Sequence, residues 1–384
     1  MSGDGDVPMT APPDRVILLS SFPARFAATP IPLYASLRPG KDIAVKIIAC
    51  IAGSAAALLC VAAPVVAQSY HLTHTYTLGG DGGWDYISLD SVGHRLFIAR
   101  GDRVMVVDQK TGKLLAEIPG FDRAHGVAFS YATGRGFGTS GGDSTVVEFD
   151  LKTLKVLARI PAAPDCDAIL FDPATGHIFT FNGDSHSSTV IDPATGTRIG
   201  TIDLGSGPEF GVSDGAGKVY VNLEEKGEVA EIDAAAMKVT RSWSVAPVAS
   251  TSGLAIDRVH HRLFSVGRNG MMAISDAVAG KLITTVPIGR GVDAARFDDG
   301  TQLAFASNGD GTLTVVHEDS PSAFHVVSNA TTKQGARTME LDPVSHTLYT
   351  VTADFGPAPA PVAGQRRSRP PMLPGTFALL VLQP

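Results

Sequence analysis

Apolar and polar residues alternate along most of this chain in short runs. From residue 70 onward the runs are rich in branched and aromatic side chains and are bounded by Gly, Pro, Asp and Asn. Such alternation predicts β-strands. No window in this region keeps a helical spacing over ten or more residues. We therefore expect an all-β protein.

The runs recur in a unit that is repeated seven times. Each unit opens with an apolar strand that ends at an Asp or Ser, which we call the anchor, and successive anchors are 40 to 44 residues apart. Three further short strands follow each anchor. Four antiparallel strands in about 40–45 residues are typical of one blade of a β-propeller. The anchors are Asp90, Ser130, Asp172, Ser213, Asp257, Asp298 and Asp342.

The two ends of this region complement each other. The seventh unit has its first two strands and a final strand, FALLVLQP, but lacks a fourth. The segment Tyr70–Leu78 is a strand without a unit of its own. If it joins the last blade, the open edge of that blade is covered. We predict a seven-bladed β-propeller of four-stranded antiparallel blades over 68–384, closed by this N-terminal strand.

The residues before the repeats show the pattern of an export signal. Lys46 precedes an apolar run that ends in small or modest residues before Gln68, as in a secretory signal peptide. We predict a signal peptide at 45–67 and a periplasmic or secreted protein with no membrane span after cleavage. The alternative is an N-terminal membrane anchor. Residues 1–44 are interpreted as a non-native or disordered extension, with Val45 as the true start.

Charge and cysteine content narrow the function classes. The net charge of −7 argues against a nucleic-acid partner, which requires a basic surface. Cleavage before Gln68 leaves Cys166 as a single cysteine, which has no internal disulfide partner. We expect it to be a small buried residue and not a nucleophile.

The unit from Leu170 to Gly205 resembles the 40-residue YVTN-type β-propeller repeat of YncE-like exported bacterial proteins. It carries the D-P-x-x-G turn after its first strand and a D-x-x-T-G turn after its third. Asparagines follow the second strand at Asn182, Asn222 and Asn308, and the name-giving tetrapeptide survives as Tyr220-Val221-Asn222. The resemblance covers the repeats and implies the propeller architecture more firmly than any activity.

Most acidic residues occupy repeated positions and are interpreted as structural. Aspartates in turns accept hydrogen bonds from nearby backbone N–H groups. This applies to the anchors and to the turn between the third and fourth strands. The Asn308–Gly311 segment is read as a tight turn, because it lacks the spacing of a calcium loop. The turn aspartates are Asp108, Asp150, Asp192, Asp233 and Asp276.

One position differs from unit to unit, as a binding site requires. The residue five before each anchor is expected near the mouth of the central channel, with Glu209 beside one of them. These residues are Asp85, His125, Asp167, Pro208, Ser252, Asp293 and Arg337. The alternative is a rim that is polar only because water fills it. With neighbouring loops, the candidate ligand-binding residues are Trp84, Asp85, Arg123, His125, Asp167, Glu209, Arg268, Arg290, Asp293 and Arg337.

Three functions compete at this stage. The first is a non-catalytic, monomeric binding module for a small molecule or a protein partner. The second is a metal-dependent hydrolase of the gluconolactonase type, with Ca²⁺ or Mg²⁺ held by carboxylates and His125 as a base. The third is a redox accessory, which ranks last because the chain has no CxxCH motif. The candidate metal ligands are Asp85, Asp167, Glu209 and Asp293.

The seventh unit contains a longer connection than the others. The segment Phe355–Gly375 is rich in proline and carries Arg366, Arg367 and Arg369. Its composition predicts an extended, mobile loop. A lid, a docking arm for an acidic partner and a disordered insertion without a role are all compatible with it.

Overall fold

A computed structural model describes residues 69–359 and 370–384, which fall within the unit Pro64–Pro384. The predictions for 1–44, for the signal peptide at 45–67 and for Arg366, Arg367 and Arg369 lie outside the described residues. Within these two ranges the chain forms strands and turns but no helix. Consequently no helix of the described part is long and apolar enough to cross a membrane.

The described residues form 27 strands in six antiparallel sheets. The first two units form one seven-stranded sheet of β2 (Ile87–Asp90), β3 (Arg95–Ala99), β4 (Gly101–Asp108), β5 (Leu114–Ser130), β6 (Arg135–Ser140), β7 (Thr145–Asp150) and β8 (Val156–Pro161). The next two sheets are β9 (Cys166–Asp172), β10 (His177–Asn182), β11 (Ser187–Asp192) and β12 (Thr197–Asp203), then β13 (Pro208–Ser213), β14 (Lys218–Leu223), β15 (Glu228–Asp233) and β16 (Lys238–Ser244).

Two further four-stranded sheets follow in the same order. They are β17 (Thr251–Asp257), β18 (Arg262–Gly267), β19 (Met271–Asp276) and β20 (Lys281–Pro287), then β21 (Val292–Asp298), β22 (Leu303–Asn308), β23 (Thr312–Ser320) and β24 (Ala323–Thr331). The last sheet has the order β1-β27-β26-β25, with β25 (Met339–Asp342), β26 (Thr347–Thr352), β27 (Ala378–Gln383) and β1 (His71–Thr77). The all-β, four-stranded prediction is confirmed.

The seven-stranded sheet differs from the predicted pattern of separate strands. The fourth strand of the first unit and the first strand of the second were expected as two strands, but β5 (Leu114–Ser130) runs through both without a break. Its first part pairs with β4 and its last part with β6. Ala124 marks the change, since it is opposite Gly101 on one side and Ser140 on the other. The strand continues here although Gly120 and Arg123 have positive φ angles of 91° and 55°, so the chain changes direction within β5.

The first strand of each unit contacts the first strand of the next. The contacts run β2–β5–β9–β13–β17–β21–β25 and return from β25 to β2. The approach is close enough to require glycine at one place. A Cβ on Gly253 in β17 would lie 2.5 Å from the backbone nitrogen of Ala295 in β21, so no larger residue fits without moving a strand.

The N-terminal strand lies on the last sheet, where it was predicted. β1 pairs antiparallel with β27 from His71 opposite Gln383 to Thr77 opposite Ala378. Just before it, the buried Tyr70 donates a hydrogen bond from its hydroxyl to the carbonyl of His346 at 2.9 Å. Its ring packs edge-on against Phe305 at 4.8 Å. Residues from the two ends of the described chain therefore share one sheet.

The predicted structural aspartates take the expected role. In the turn after β7, Asp150 Oδ1 accepts hydrogen bonds from the backbone N–H groups of Thr153 and Lys152 at 2.6 and 3.1 Å. The anchor Asp172 likewise accepts one from Thr175 at 2.9 Å and a second from the Ser213 hydroxyl of the next sheet. Anchors thus connect neighbouring sheets as well as turns.

Apolar side chains of each sheet pack against those of the next. One such layer joins Phe179 and Phe181 of β10 to Val219 and Val221 of β14, and all four are fully buried. Cys166 is also buried, as predicted. The core therefore lies between the faces of the sheets, and the polar residues that differ between units lie at the starts of the first strands.

Candidate functional site

Three residues from three different units meet at the start of the first strands. Asp85 precedes β2, His125 lies within β5, and Asp167 is the second residue of β9. The imidazole Nδ1 of His125 is 2.6 Å from Asp85 Oδ2 and 3.1 Å from Asp167 Oδ1. Their side chains are only 14% exposed for His125 and 21% for each aspartate. One imidazole therefore lies between two carboxylates.

A second group adjoins this one and contains two arginines. Arg337 donates from Nε to Asp293 Oδ2 at 2.7 Å. Arg268 lies 3.5 Å from the other oxygen of Asp293 and 3.7 Å from Glu209. It also contacts Glu224 at 3.4 Å. The guanidinium groups thus connect three carboxylates, each contributed by a different strand or loop.

The two groups influence each other's charge and form one acidic cluster. Burial raises the pKa of Asp167 to about 7, and the charges of Asp85 and Asp293 add to this. Burial, then the charge of Asp167, raises the pKa of Glu209 to about 10. Burial also raises the pKa of Asp293, although Arg337 opposes it. The acidic cluster comprises Asp85, His125, Asp167, Glu209, Asp293, Arg268 and Arg337.

The acidic neighbours of His125 favour its protonated form. Burial alone lowers the pKa of an imidazole, but the hydrogen bond to Asp85 and the charges of Asp167 and Asp85 outweigh it and raise the pKa of His125 to about 9. Its Nδ1–H donates to Asp85. An imidazolium that is held in this way positions the two carboxylates and does not abstract a proton at neutral pH.

A buried arginine fixes the loop that carries Trp84 and Asp85. Arg100 is fully buried, and its two terminal nitrogens donate to four consecutive carbonyls of the segment 80–83 at 2.8–3.1 Å. Its guanidinium also lies 3.7 Å from the ring centroid of Phe377. Burial lowers the pKa of Arg100 to about 10, so it remains charged. The loop has little freedom to move away from the acidic cluster.

Trp84 lies beside the cluster, against the beginning of the long seventh-unit connection. Its ring centroid is 5.4 Å from Phe377 and 6.1 Å from Phe355. Arg337 lies 5.9 Å from the Trp84 ring centroid. The Trp84 Nε1–H is buried and has no hydrogen-bond partner among the described residues. The ends of the connection meet in a short bridge between Phe355 and Met372.

Two candidate residues from the sequence do not join the cluster. Arg123 pairs with Asp165 at 2.8 Å, and its side chain is 59% exposed. Arg290 is also exposed, and it is held through its backbone N–H, which donates to Asp310 at 2.7 Å. The structure thus brings together seven of the ten candidates, places Trp84 beside them and leaves these two arginines outside.

The four carboxylates predicted as metal ligands are divided between two environments. Ligand atoms of Asp85, His125 and Asp167 lie within 4.8 Å of one another, so a metal ion fits their spacing. Asp293 and Glu209 instead face Arg268. Among the described residues, a cation site here therefore includes the imidazole and two of the four predicted carboxylates.

A cavity that the sequence analysis missed lies next to the cluster. It has a volume of about 450 Å³ and is lined by the first strands, including Tyr86, Phe210, Arg258, Arg296 and Glu340. Tyr86 joins the two regions, because it lines the cavity while the charges of Asp167, Asp85, Glu209 and Asp293 act on its hydroxyl. Arg296 lies 5.0 Å from the Phe210 ring centroid and donates to Glu340 at 2.7 Å.

A signal for this cavity was present in the repeat. Two residues before the anchor, the units carry Ser88, Ala128, Leu170, Gly211, Ala255, Arg296 and Glu340. Only the sixth and seventh units have charged residues there, with opposite signs, and these two units are neighbours. Comparing this second position across the units would have found the pair.

Comparisons with known proteins concern the fold. No protein-family model and no curated protein matches the chain. Among solved structures, "Kuenenia stuttgartiensis Hydrazine Synthase" matches with a TM-score of 0.63 and 15% identity, over 72% of this chain and 94% of that one. "Structure of U3-55K" matches with a TM-score of 0.66 and 10% identity, over 81% and 98%. Both neighbours have propeller-type folds, and the chain has a β-propeller-like all-β fold.

Proposed function

We propose that this protein is an exported β-propeller that acts as a binding module, and that its acidic cluster receives a positively charged group of the ligand. The observation that carries the proposal is the crowding of carboxylates whose charge is incompletely balanced. Asp167 and Glu209 both have raised pKa values, although His125 and Arg268 are close to them. A ligand cation would take the place of the protons that these carboxyl groups retain.

The arrangement of the strands supports a ring of seven blades, which is the architecture that this role requires. Because β5 serves two units, the 27 described strands divide into seven groups of four. The circuit of contacts from β2 to β25 and back is the one that a closed ring requires. The pairing of β1 with β27 supplies the fourth strand of the seventh group. In such a ring the first strands surround a central channel, and the acidic cluster lies at its mouth.

The family and the location belong to the same proposal. The D-P-x-x-G turn and the asparagines after the second strands support membership of the YVTN-type repeat family of YncE-like exported proteins. The apolar run and the small residues before Gln68 support export to the periplasm or beyond. N-terminal sequencing of protein recovered from the periplasm or the medium tests this, and Gln68 is the expected first residue.

Binding is favoured over catalysis by the way the charged groups are paired. The raised pKa of His125, about 9, and its 2.6 Å contact with Asp85 make it a poor candidate for the base that a hydrolase needs at neutral pH. Asp293 is paired with two arginines. Cationic side chains of the protein therefore already neutralise much of the carboxylate charge that a catalytic metal ion would otherwise neutralise. Asp167 and Glu209 retain protons that a bound cationic group can displace, and this suits recognition of such a group.

The test is titration with simple organic cations. Methylamine, arginine and spermidine are added to the purified protein, and binding is followed by calorimetry and by thermal unfolding. We expect one of them to bind with one-to-one stoichiometry, and Glu209→Gln or Asp167→Asn to abolish binding. Asp184→Asn is the control, because Asp184 is exposed and is not a member of the acidic cluster. Equal binding by all three variants would contradict the proposal.

A second candidate function rests on a separate observation. The ligand atoms of Asp85, His125 and Asp167 converge within 4.8 Å, and a divalent cation would displace the imidazole proton. Such an ion would polarise an ester carbonyl, as in a lactonase. Stabilisation by Ca²⁺ or Mg²⁺, together with lactone hydrolysis that Asp167→Asn removes, would favour this candidate over the binding module.

A further inference from the structure

A group of three side chains between two sheets lies apart from the acidic cluster. Asp257 is the last residue of β17, and His260 follows it in the turn before β18. Glu318 lies on β23 of the next sheet. The imidazole Nδ1 of His260 is 2.7 Å from Asp257 Oδ2 and 3.0 Å from Glu318 Oε1. Asp257 is at the end of β17 remote from Ser252, so this group does not belong to the acidic cluster.

Glu318 is the unusual member of this group. Its side chain is 1% exposed, and neither of its oxygens has a hydrogen-bond partner among the described residues. Arg262 of the neighbouring strand β18 is engaged elsewhere, with Asp276 at 3.1 Å and with the carbonyl of Pro321 at 2.7 Å. Burying a carboxylate without a partner is costly. A second carboxylate, Asp257, lies in the same place and adds to the cost.

The position of His260 suits a metal ligand better than a hydrogen-bond donor. Its Nδ1 is close to two carboxylate oxygens, yet among the described residues it makes no hydrogen bond with acceptable angles. A Zn²⁺ ion holds nitrogen and oxygen ligands at about 2.0–2.2 Å, so adjacent ligands of one ion lie roughly 3 Å apart. The two distances from His260 Nδ1 are of this size, and all three donor atoms lie within 4.8 Å of one another.

We propose that Asp257, His260 and Glu318 form a binding site for a divalent transition-metal ion of the Zn²⁺ type, which connects the sheet of β17 to the sheet of β23. One imidazole and two carboxylates suit Zn²⁺ better than Ca²⁺ or Mg²⁺, which prefer oxygen ligands alone. The side chain of His260 is 35% exposed, which gives the ion a path from solvent. The ion would neutralise the buried carboxylate pair and hold the two sheets together.

The adjacent residue Asp319 provides the matched control. It lies on the opposite side of β23, where it contacts His317 at 2.9 Å and His325 at 2.7 Å, and these three residues form a separate, more exposed group with metal-ligand spacing. Glu318→Gln and Asp319→Asn thus alter neighbouring residues of one strand and remove one carboxylate each. The first variant removes a carboxylate from the group of Asp257 and His260, and the second removes one from the group of His317 and His325.

The experiment measures Zn²⁺ by equilibrium dialysis and metal analysis, and Co²⁺ by its visible absorption. We expect Glu318→Gln to bind one ion fewer than the wild type, with a loss of more than ~100-fold in affinity for that ion, and to lose the matching Co²⁺ absorption. Asp319→Asn and Asp167→Asn should keep that ion. Zn²⁺ should raise the melting temperature of the wild type, and this rise should be smaller in Glu318→Gln, which lacks the contribution of that ion.

A Glu318→Gln variant with the full wild-type number of ions and the same Co²⁺ spectrum would overturn the proposal. The proposal would also fail if every ion bound by the wild type were lost in Asp319→Asn or in Asp167→Asn, or if the wild type bound no ion. Should Glu318→Gln fail to fold, His260→Gln replaces it, since His260 is partly exposed in a turn. Binding of organic cations at the acidic cluster is measured separately, so either proposal can fail without the other.

Discussion

His125 and Asp85 are hydrogen-bonded across 2.6 Å although 40 residues separate them in the chain. That separation is one repeat, so the two residues occupy the same position of neighbouring units. An acid in one unit and an imidazole in the next form a pair because adjacent first strands place this position side by side. The pair is the centre of the acidic cluster, to which Asp167 of the following unit adds a third member.

The first prediction concerns the N-terminal strand. Deletion of Tyr70–Leu78 should expose the edge of β27 and destabilise the whole protein, because β1 supplies the last strand of that sheet. Within this segment, Tyr70→Ala should cost about 3–5 kcal/mol for the lost buried ring. Tyr70→Phe should cost about 1 kcal/mol for the lost hydrogen bond to His346. The free energy of unfolding in urea measures each effect.

His71→Ala serves as the control for this series. Because His71 is exposed, this variant should unfold like the wild type. A deletion variant that melts at the wild-type temperature would show that the last sheet does not need β1.

The second prediction concerns Arg100. Arg100→Lys should lower stability by about 2–4 kcal/mol, because a lysine ammonium cannot donate to the four carbonyls of segment 80–83 in the geometry of a guanidinium. Arg159→Lys, at an arginine that is 43% exposed, should change stability much less. The loss should extend to the acidic cluster, so ligand affinity should fall as well. Similar urea midpoints for the two variants would contradict this role of Arg100.

The third prediction concerns pH. The folded pKa values of Asp167, His125 and Glu209, at about 7, 9 and 10, all exceed the ordinary values of these groups. The folded protein therefore binds more protons than the unfolded chain, and stability should fall as the pH rises from about 4 to 10. For His125 the stabilising contribution is complete below about pH 6.5 and is lost as the pH passes 9.

Glu209→Gln should reduce this slope, because glutamine stays neutral at every pH. One proton accounts for at most about 1.4 kcal/mol per pH unit. Glu225→Gln should keep the wild-type slope, since the side chain of Glu225 is 65% exposed. Unfolding free energies at pH 5, 7 and 9 compare the three proteins. If the unfolding free energy of Glu209→Gln depends on pH as steeply as that of the wild type, Glu209 does not carry the proton that this prediction assigns to it.

The fourth prediction separates the two candidate functions. If Ca²⁺ or Mg²⁺ binds between Asp85, His125 and Asp167, a hundredfold excess over Kd should raise the apparent stability of chelator-treated protein by about 2.7 kcal/mol. Asp167→Asn should abolish the rise, and Asp184→Asn should keep it. If neither Ca²⁺ nor Mg²⁺ changes the melting temperature, the binding module is the better description, and Trp84 and Arg337 become the targets for mutation.

The strands and turns could be predicted because they depend on neighbouring residues. Alternation within four to eight residues determines which side chains lie on each face of a sheet. An Asp that accepts hydrogen bonds from the backbone of the following turn ends a strand in several units, as Asp150 and Asp172 do. Since seven units repeat the pattern, the sequence also indicated which position varies. The continuous strand β5 was not foreseen, because Pro119 and Gly120 resemble a turn in isolation.

The sequence by itself thus determined the all-β class, the repeat, the place of the N-terminal strand and the position where Asp85, His125, Asp167, Asp293 and Arg337 would meet. Only the tertiary structure decided that Arg337 and Arg268 hold Asp293, that Arg290 stays outside, and that Glu318 is buried beside His260. These outcomes depend on how whole sheets pack against one another. Which charged groups pair with one another follows from that packing and cannot be seen in the local pattern of the chain.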